Sequence, residues 1–202
     1  MREILPDTAT SDLNESALWQ AFKAGDRKAF ARMLDSYYPS LLMYGYKLFP
    51  EKEFVKDAVH DLFLEIWNKR GKLADVQSIK AYLFQSLRNN ILRESKKSEW
   101  LISSDTIAEQ DVFDPGFHIE ASIIANERDY LNQKKLELSI SRLTKRQQEI
   151  IYLRFTQELT FEQIAETMNI NYRSAVNLVH EAIKSIRRGW ITLLIWAFSV
   201  FA

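Results

Sequence analysis

The chain contains no cysteine, and only 5 of its 202 residues are glycine and 4 are proline. The absence of cysteine excludes disulfides and thiolate metal sites and fits a reducing cytosol. Alternating apolar and polar residues, the pattern of half-buried strands, are also scarce. Since both helix-breaking residues and strand patterns are rare, we predict an all-α protein. The polar, acidic start lacks the apolar core of a signal peptide, so we expect a cytoplasmic protein.

The sequence also lacks the side-chain groupings that enzymes commonly use. Its three histidines, His60, His118 and His180, lie far apart, and His180-Glu181 is not followed by the second histidine of a zinc-protease helix. A glycine-rich phosphate-binding loop is missing as well. We therefore predict no enzymatic activity, no metal and no cofactor.

The net charge is zero, but the charges are unevenly distributed. Residues 78–100 carry five basic and two acidic side chains, and residues 127–189 carry eleven basic and eight acidic ones. Between them, residues 101–126 carry five acidic side chains and no lysine or arginine. Two mildly basic blocks are thus separated by an acidic segment, a distribution that informs about binding partners rather than about fold.

Changes in composition divide the chain into five segments. Helix-spaced apolar stripes in the second segment predict one bundle of three to four helices, with breaks at Gly25, Pro39, Pro50 and Gly71. Helical spacing resumes in the fourth segment. The predicted segments are a polar extension at 1–15, a helical domain at 16–98, an acidic linker at 99–126, a helix-turn-helix domain at 127–189 and an apolar tail at 190–202.

Two capping boxes mark helix starts in the last third of the chain. Thr144 with Gln147, and Thr160 with Gln163, have the spacing at which side chain and backbone satisfy each other's amides. A short turn follows at Asn169, which tolerates positive φ. We assign the apolar face of the first of these helices to Ile150, Ile151, Leu153 and Phe155.

A third helix follows the short turn, with Asn171 suited to cap it. So short a turn makes the helices cross steeply, as in a helix-turn-helix. The start of the second helix of that motif enters the major groove, which makes Arg173, Ser174 and Asn177 candidates for base or phosphate contacts. The residues alone also allow a plain helical hairpin with a solvated polar face. The predicted inward stripe is Ala175, Val179, Ala182, Ile183 and Ile186.

The runs from Leu143 to Ile150, from Leu159 to Ala165 and from Ile170 to Arg187 resemble the promoter-binding domain of extracytoplasmic-function sigma factors. Val176, Leu178 and Glu181 stand where that family usually has basic residues, which implies weaker and less salt-sensitive DNA binding. The minus-thirty-five contacts that the resemblance implies are Thr160, Tyr172, Arg173, Ser174, Asn177, His180 and Lys184.

Asp57, Asp61 and Glu65 are spaced by four and share one helix face. Like charges at this spacing cost helix stability, which makes a partner surface a candidate, and a merely solvated helix face is the alternative. With Phe63 and Trp67, the segment resembles the polymerase-binding helix of the same family. The resemblance implies that these carboxylates contact the clamp helices of the largest polymerase subunit.

The basic segment 78–97 resembles the family's minus-ten recognition helix, with Arg88-Asn89 at its Arg-Asn pair. Basic groups beside asparagine suit backbone neutralisation and base-edge hydrogen bonds. Arg93 replaces the family's usual aspartate, so no role of that carboxylate is carried over. A bundle helix with a solvated basic face is the alternative. The implied minus-ten contacts are Arg88, Asn89, Asn90, Arg93, Lys96 and Lys97.

Together, these resemblances imply a sigma factor with core RNA polymerase and promoter DNA as partners and an anti-sigma factor as inhibitor. A free-standing helix-turn-helix regulator and a membrane-associated interaction protein are the alternatives. The tail 190–202 has only two polar residues, yet a bilayer span needs ~20 apolar residues. We therefore expect no stable membrane span. The tail is free to pack within the chain, bind a partner or lie at a membrane surface.

Overall fold

The computed structural model describes the backbone of residues 8–100 and 136–200, and the side chains of residues 15–95 and 136–188. Every regular element in these ranges is a helix, which confirms the predicted all-α class. Most of the predicted linker 99–126 lies outside the described residues. The chain divides into two compact units, Met1–Tyr46 with Pro50–Leu101, and Lys47–Phe49 with Ile102–Ala202.

The described part of the first unit contains four α-helices and one 3₁₀ turn. Most of the predicted breaks fall between these helices. Gly25 has a φ of 91°, a conformation open to glycine, in the turn after the first helix. The break predicted at Pro39 is wrong, because Pro39 lies inside the second helix. The elements are α1 (Thr8–Lys23), α2 (Arg27–Leu48), α3 (Lys52–Lys69), the 3₁₀ turn Arg70–Lys72 and α4 (Ile79–Trp100).

Tertiary packing explains why α2 continues through Pro39. Met33, Leu41 and Tyr44 on both sides of the proline are fully buried, so apolar contacts with the other helices hold the segment. The next residue, Ser40, donates a hydrogen bond of 2.9 Å from its hydroxyl to the carbonyl of Tyr37 and supports the same turn. Proline thus removes one helix hydrogen bond here without ending the helix.

An aromatic cluster joins helices α1, α2 and α3. The rings of Phe22 and Phe30 lie 5.9 Å apart, and those of Phe30 and Trp67 lie 4.8 Å apart. Such ring pairs add about 0.5–1.5 kcal/mol each beyond their area burial. This cluster fixes the placement of α3, which carries the predicted polymerase face, against α1 and α2.

The second unit consists of short helices followed by one long helix. Both capping boxes form as predicted: the Gln147 amide donates to the Thr144 hydroxyl at 3.3 Å, and the Gln163 amide donates to the Thr160 hydroxyl at 3.3 Å. The elements are α5 (136–141), α6 (Lys145–Ile151), the π-helical turn Tyr152–Thr156, α7 (Phe161–Thr167) and α8 (Tyr172–Val200).

The turn of the helix-turn-helix also has the predicted chemistry. Asn169 has a φ of 52°, and the Asn171 side chain accepts a hydrogen bond of 2.7 Å from the amide of Ser174. Phe155 does not join the buried face of α6, since it is 59% exposed. The π-helical turn widens the hydrogen-bond register after Ile151 and thereby rotates Phe155 away from the core.

Candidate protein and nucleic-acid interfaces

Helix α3 has one buried and one exposed acidic face. Val55, Val59, Leu62, Phe63 and Ile66 are buried, whereas Asp57, Asp61 and Glu65 are exposed and form what we call the acidic face. Glu65 forms an ion pair of 2.5 Å with Lys69. Within residues 15–95, neither Asp57 nor Asp61 has such a partner. Two adjacent carboxylates of the acidic face therefore retain their full charge for a partner.

The aromatic residues that accompany this face have structural roles. Phe63 is buried, and Trp67 contacts Phe30 on one side and the guanidinium of Arg70 at 4.3 Å on the other. His60, by contrast, lies exposed beside the acidic face, where its Nε2 is 2.9 Å from the hydroxyl of Tyr38. Phe63 and Trp67 thus hold α3 in place, while the exposed polar residues of α3 are available for contact.

Helix α4 places its predicted DNA-contacting residues on its outer side. Asn89 and Arg93 are exposed, and Arg88 and Asn90 are half-buried. The side chains of Lys96 and Lys97 lie outside the described residues. Tyr82 is half-buried, because its ring contacts Trp19 of the core at 5.5 Å on one side and also lines a cavity. The buried positions of α4 include Leu83, Phe84, Leu87 and Ile91.

Arg93 is held by its own helix. Its Nη2 donates to Oδ1 of Asn90 at 2.7 Å, and its Nε donates to Oε1 of Glu94 at 3.2 Å. The pairing offsets part of the arginine charge and fixes the orientation of the Asn90 amide. Because that amide oxygen already accepts a hydrogen bond, Asn90 presents its NH₂ group to a ligand as a donor.

A cavity of about 240 Å³ opens between α3 and α4. One wall is polar and comes from α4, and the opposite side combines apolar residues with the Glu65–Lys69 ion pair. Burial raises the pKa of Tyr82 above its ordinary value, so its hydroxyl stays protonated and able to donate near neutral pH. The lining residues are Leu62, Glu65, Ile66, Lys69, Leu73, Tyr82, Ser86, Asn89, Asn90 and Arg93.

Leu73, Tyr82 and Ser86 line the cavity but were not predicted from the sequence as site residues. A signal for two of them was present, because Tyr82, Ser86, Asn89 and Arg93 recur at three- and four-residue spacing, which places them on one helix stripe. No local pattern marks Leu73, since the segment that contains it is irregular.

Helix α1 holds the irregular segment next to this cavity. The indole Nε1 of Trp19 donates to the carbonyl of Ala74 at 3.1 Å. Asp75 accepts from Nε2 of Gln20 at 2.8 Å and from Nζ of Lys23 at 2.7 Å. These contacts lower the pKa of the exposed Asp75 carboxyl, through the lysine hydrogen bond above all. The cavity rim is therefore held by hydrogen bonds rather than left to an unsupported loop.

In the second unit, α8 presents a polar face along its first three turns. Ala175, Val179 and Ala182 are buried, as predicted, while Ile183 and Ile186 are only half-buried. The Tyr172 ring packs against Phe161 of α7 at 6.2 Å, which orients the start of α8. The residues on the exposed side include Tyr172, Arg173, Ser174, Asn177, His180 and Lys184, and Thr160 is exposed at the start of α7.

Glu181 reduces the positive charge of this polar face. Its Oε1 lies 3.7 Å from Nζ of Lys184 and 3.9 Å from Nδ1 of His180. Arg173 has no ion-pair partner within residues 136–188. Arg173 near the N-terminus of α8 is thus an unopposed cation, whereas the charge of Lys184, about three turns later, is partly compensated.

The described residues show neither a metal-binding cluster nor a membrane-spanning helix. They contain no group of three or more histidine, aspartate or glutamate side chains placed to hold a metal ion. None of their helices combines the length and the apolar character needed to cross a membrane.

Comparison with known proteins gives matches to both units. The family model for sigma-70 region 2 matches residues 33–101, and that for sigma-70 region 4 matches residues 139–188. The ECF RNA polymerase sigma factor BldN of Streptomyces coelicolor is 25% identical over 167 residues, which are 82% of this chain and 62% of that protein. The chain therefore spans less than two thirds of that relative's length.

Two solved structures have a similar fold. CnrH in complex with the cytosolic domain of CnrY has a TM-score of 0.56 at 13% identity, over 86% of this chain and 95% of that one. The sigma factor RpoE in complex with the anti-sigma factor NepR from Bartonella quintana has a TM-score of 0.56 at 19% identity, over 81% of this chain and 97% of that one. At these identities, the likeness concerns the fold.

The two region models occur in the chain in order, and together they match more than half of it. They coincide with the stretches in which the sequence resembles the polymerase-binding, minus-ten and minus-thirty-five segments. The chain belongs to the sigma-70 family of bacterial transcription initiation factors, in its extracytoplasmic-function group.

Proposed function

We propose that this protein is a sigma factor that directs core RNA polymerase to specific promoters and aids promoter opening in the cytoplasm. The supporting observation is that α3 and α4 together present the acidic face and the polar-walled cavity. Glu65 belongs to both. A protein that binds polymerase with one side of a helix pair and opened DNA with the other needs this juxtaposition. The polymerase performs the chemistry, and this chain contributes binding and positioning.

The acidic face fits a basic partner surface. Within residues 15–95, neither Asp57 nor Asp61 has an ion-pair partner, and charge complementarity raises association rates and excludes wrong partners. Glu65 is already paired with Lys69, so its part in binding is smaller or requires exchange of that pair. We assign the polymerase contact mainly to the two aspartates.

The cavity beside α4 fits one unstacked base of an opened minus-ten element. Unpaired bases are bound by stacking on aromatic rings and by hydrogen bonds to their edges. Tyr82 supplies the ring, and Ser86, Asn89 and Asn90 supply the polar groups along one wall. Arg88 and Arg93 lie on the same helix, where they can neutralise neighbouring phosphates.

The start of α8 fits the major groove of the minus-thirty-five element. Arg173, Ser174 and Asn177 are exposed there, and Thr160 at the start of α7 lies on the side of a helix terminus that favours phosphate. Because Glu181 offsets Lys184, free DNA binding by this unit is weak. The unit therefore acts when the first unit tethers it to polymerase.

Run-off transcription with purified full-length chain and core polymerase tests this function. We expect transcripts from candidate promoters only when both proteins are present. A free-standing regulator, the alternative, binds its DNA site equally well without core polymerase. Failure to bind core, with the helical content retained, rejects the proposal in favour of that alternative. By analogy with the RpoE complex above, whose partner is an anti-sigma factor, we also propose an anti-sigma protein as inhibitor.

A further inference from the structure

An apolar groove opens in the second unit, away from the residues assigned to DNA. Its volume is about 350 Å³, and all but two of its lining residues are apolar. The groove lies between α5, the π-helical turn after α6 and the later part of α8. Its lining residues are Leu136, Ile140, Ile151, Phe155, Thr156, Ile183, Ile186 and Arg187.

The groove exposes apolar surface that a folded domain usually buries. Phe155 is 59% exposed and Leu136 is 36% exposed, and Ile183 and Ile186 are half-buried although their spacing predicted the core. Isolated apolar residues on a surface are ordinary, but a contiguous apolar groove marks a binding site. None of the residues assigned to polymerase or DNA binding lines this groove.

The same helix that lines the groove continues into the apolar tail. The region 4 match ends at residue 188, whereas α8 extends to Val200. From Trp190 to Ala202 the sequence has only Thr192 and Ser199 as polar residues. A helix of this composition is stable only where its sides are covered.

Beyond its first turn, the tail of a chain runs past the groove of the same chain, because a helix rises by ~1.5 Å per residue. Arg187 lines the groove, and α8 runs on without interruption past Trp190, so the helix carries the tail away from its own groove. Folding back would require the loop of an αα-hairpin, which this continuous helix does not contain. The groove of a second molecule is open to this tail, because no continuous helix joins the two.

We propose that two copies of this chain associate by docking the apolar tail of each into the groove of the other. Such an exchange is isologous, and it closes after two molecules. The four aromatic residues of the tail alone can bury ~600–1,000 Å². This area matches the ~800 Å² per partner of a stable interface. The four residues are Trp190, Trp196, Phe198 and Phe201.

The test compares full-length variants by sedimentation equilibrium. Phe155→Glu places a charge in the groove at an exposed position, and Leu138→Glu is its matched control, since Leu138 is 60% exposed and does not line the groove. Leu194→Asp disrupts the tail. We expect a dimer for the unaltered chain and for Leu138→Glu, and a dissociation constant at least about tenfold higher for each of the other two variants. Circular dichroism verifies that each variant keeps its helical content.

Sedimentation of a mixture of the two disrupted variants is the most discriminating measurement. The Phe155→Glu chain retains an intact tail and the Leu194→Asp chain an intact groove, so their mixture regains one docking contact and associates more tightly than either alone. Tail-to-tail pairing predicts instead that Phe155→Glu dimerises normally, and this result overturns the proposal. A monomeric unaltered chain, or one whose tail binds phospholipid vesicles regardless of Phe155→Glu, overturns it too. None of these outcomes depends on polymerase binding.

Discussion

The carboxylate of Glu15 accepts a hydrogen bond of 3.0 Å from the backbone amide of Ile79, which lies 64 residues further along the chain. The same Oε1 accepts from the Lys80 amide at 3.3 Å and from the Tyr37 hydroxyl at 2.9 Å. Glu15 therefore caps α4 from another helix and ties α1, α2 and α4 together. Because α4 carries the polar wall of the cavity, this single side chain helps to fix the geometry of the candidate minus-ten site.

Replacing Glu15 with alanine should destabilise the first unit by about 1–2 kcal/mol, the usual effect of losing a helix cap. Glu15→Gln keeps an acceptor oxygen and should cost less. Chemical denaturation measures both. Glu51→Ala is the control, because Glu51 stands at the N-cap position of α3 but its side chain makes no capping hydrogen bond. Equal losses for Glu15→Ala and Glu51→Ala would contradict the assigned role.

The buried phenol of Tyr37 predicts a loss of stability at alkaline pH. Burial, and then the neighbouring Glu15 carboxylate, raise the pKa of Tyr37 well above its ordinary value. An unfolded chain releases this proton near pH ~10, whereas the folded chain retains it. The folded state thus binds more protons in that range, and its stability is complete below pH ~10 and falls as the pH rises further.

Tyr37→Phe should make this alkaline decline of the unfolding free energy shallower, although it lowers the stability at neutral pH by about 1 kcal/mol through the lost hydrogen bond. Urea unfolding at a series of pH values from 8 upward would be the measurement. Tyr172→Phe, at an exposed ring, serves as the control. An unchanged slope for Tyr37→Phe would show that Tyr37 does not carry the effect.

Local rules in the sequence predicted the second unit better than the first. Thr144, Thr160 and Asn169 act within one turn of the chain, so their spacing sufficed to locate two helix starts and a tight turn. Glu15 could not be recognised as a cap of α4, because its partner amides are brought to it by the tertiary fold. Pro39 was misread as a break for the same reason, since burial on both sides of it outweighs its local effect.

In the candidate site, too, features set by local helical spacing were predictable and features set by tertiary packing were not. Helical spacing predicted which side of α3 and α4 faces outward, because 3.6 residues per turn relate sequence directly to face. It did not predict the cavity, which depends on how two helices and the segment around Leu73 meet. Nor did it predict that Phe155 turns outward, because the π-helical turn changes the register on which the spacing argument rests.

Charge reversal at Asp61 should abolish the association with core polymerase. Asp61→Arg replaces one of the two unpaired carboxylates of the acidic face, and a broken interfacial charge pair costs about 2–5 kcal/mol. Asp35→Arg makes the same charge change at an exposed position of α2. Binding to core polymerase, followed by native co-migration or interferometry, should be lost for Asp61→Arg and kept for Asp35→Arg. Equal binding by both variants would remove Asp61 from the interface.

Truncation of Asn89 should weaken binding to single-stranded minus-ten DNA. Asn89→Ala removes a donor and an acceptor from the polar wall of the cavity, and a paired base contact of this kind contributes about 1–3 kcal/mol. The measurement is the affinity of the polymerase-bound chain for a labelled oligonucleotide with the promoter sequence and for a scrambled one. Gln85→Ala, on α4 but outside the cavity lining, is the matched control. We expect the preference for the promoter sequence to shrink only in Asn89→Ala.

Removal of the Glu181 carboxylate should strengthen DNA binding by the second unit. Glu181→Gln leaves Lys184 without its 3.7 Å partner and relieves repulsion between that carboxylate and the phosphates. One additional phosphate contact steepens the dependence of log affinity on log salt by about 0.9. The full-length chain is titrated with minus-thirty-five duplex at several salt concentrations, and Glu137→Gln, on α5, makes the same charge change outside the recognition helix. A steeper slope in Glu181→Gln alone means that Glu181 limits the contact, because a general change in net charge would affect both variants alike. Parallel slopes for both would mean that Lys184 does not reach the DNA backbone.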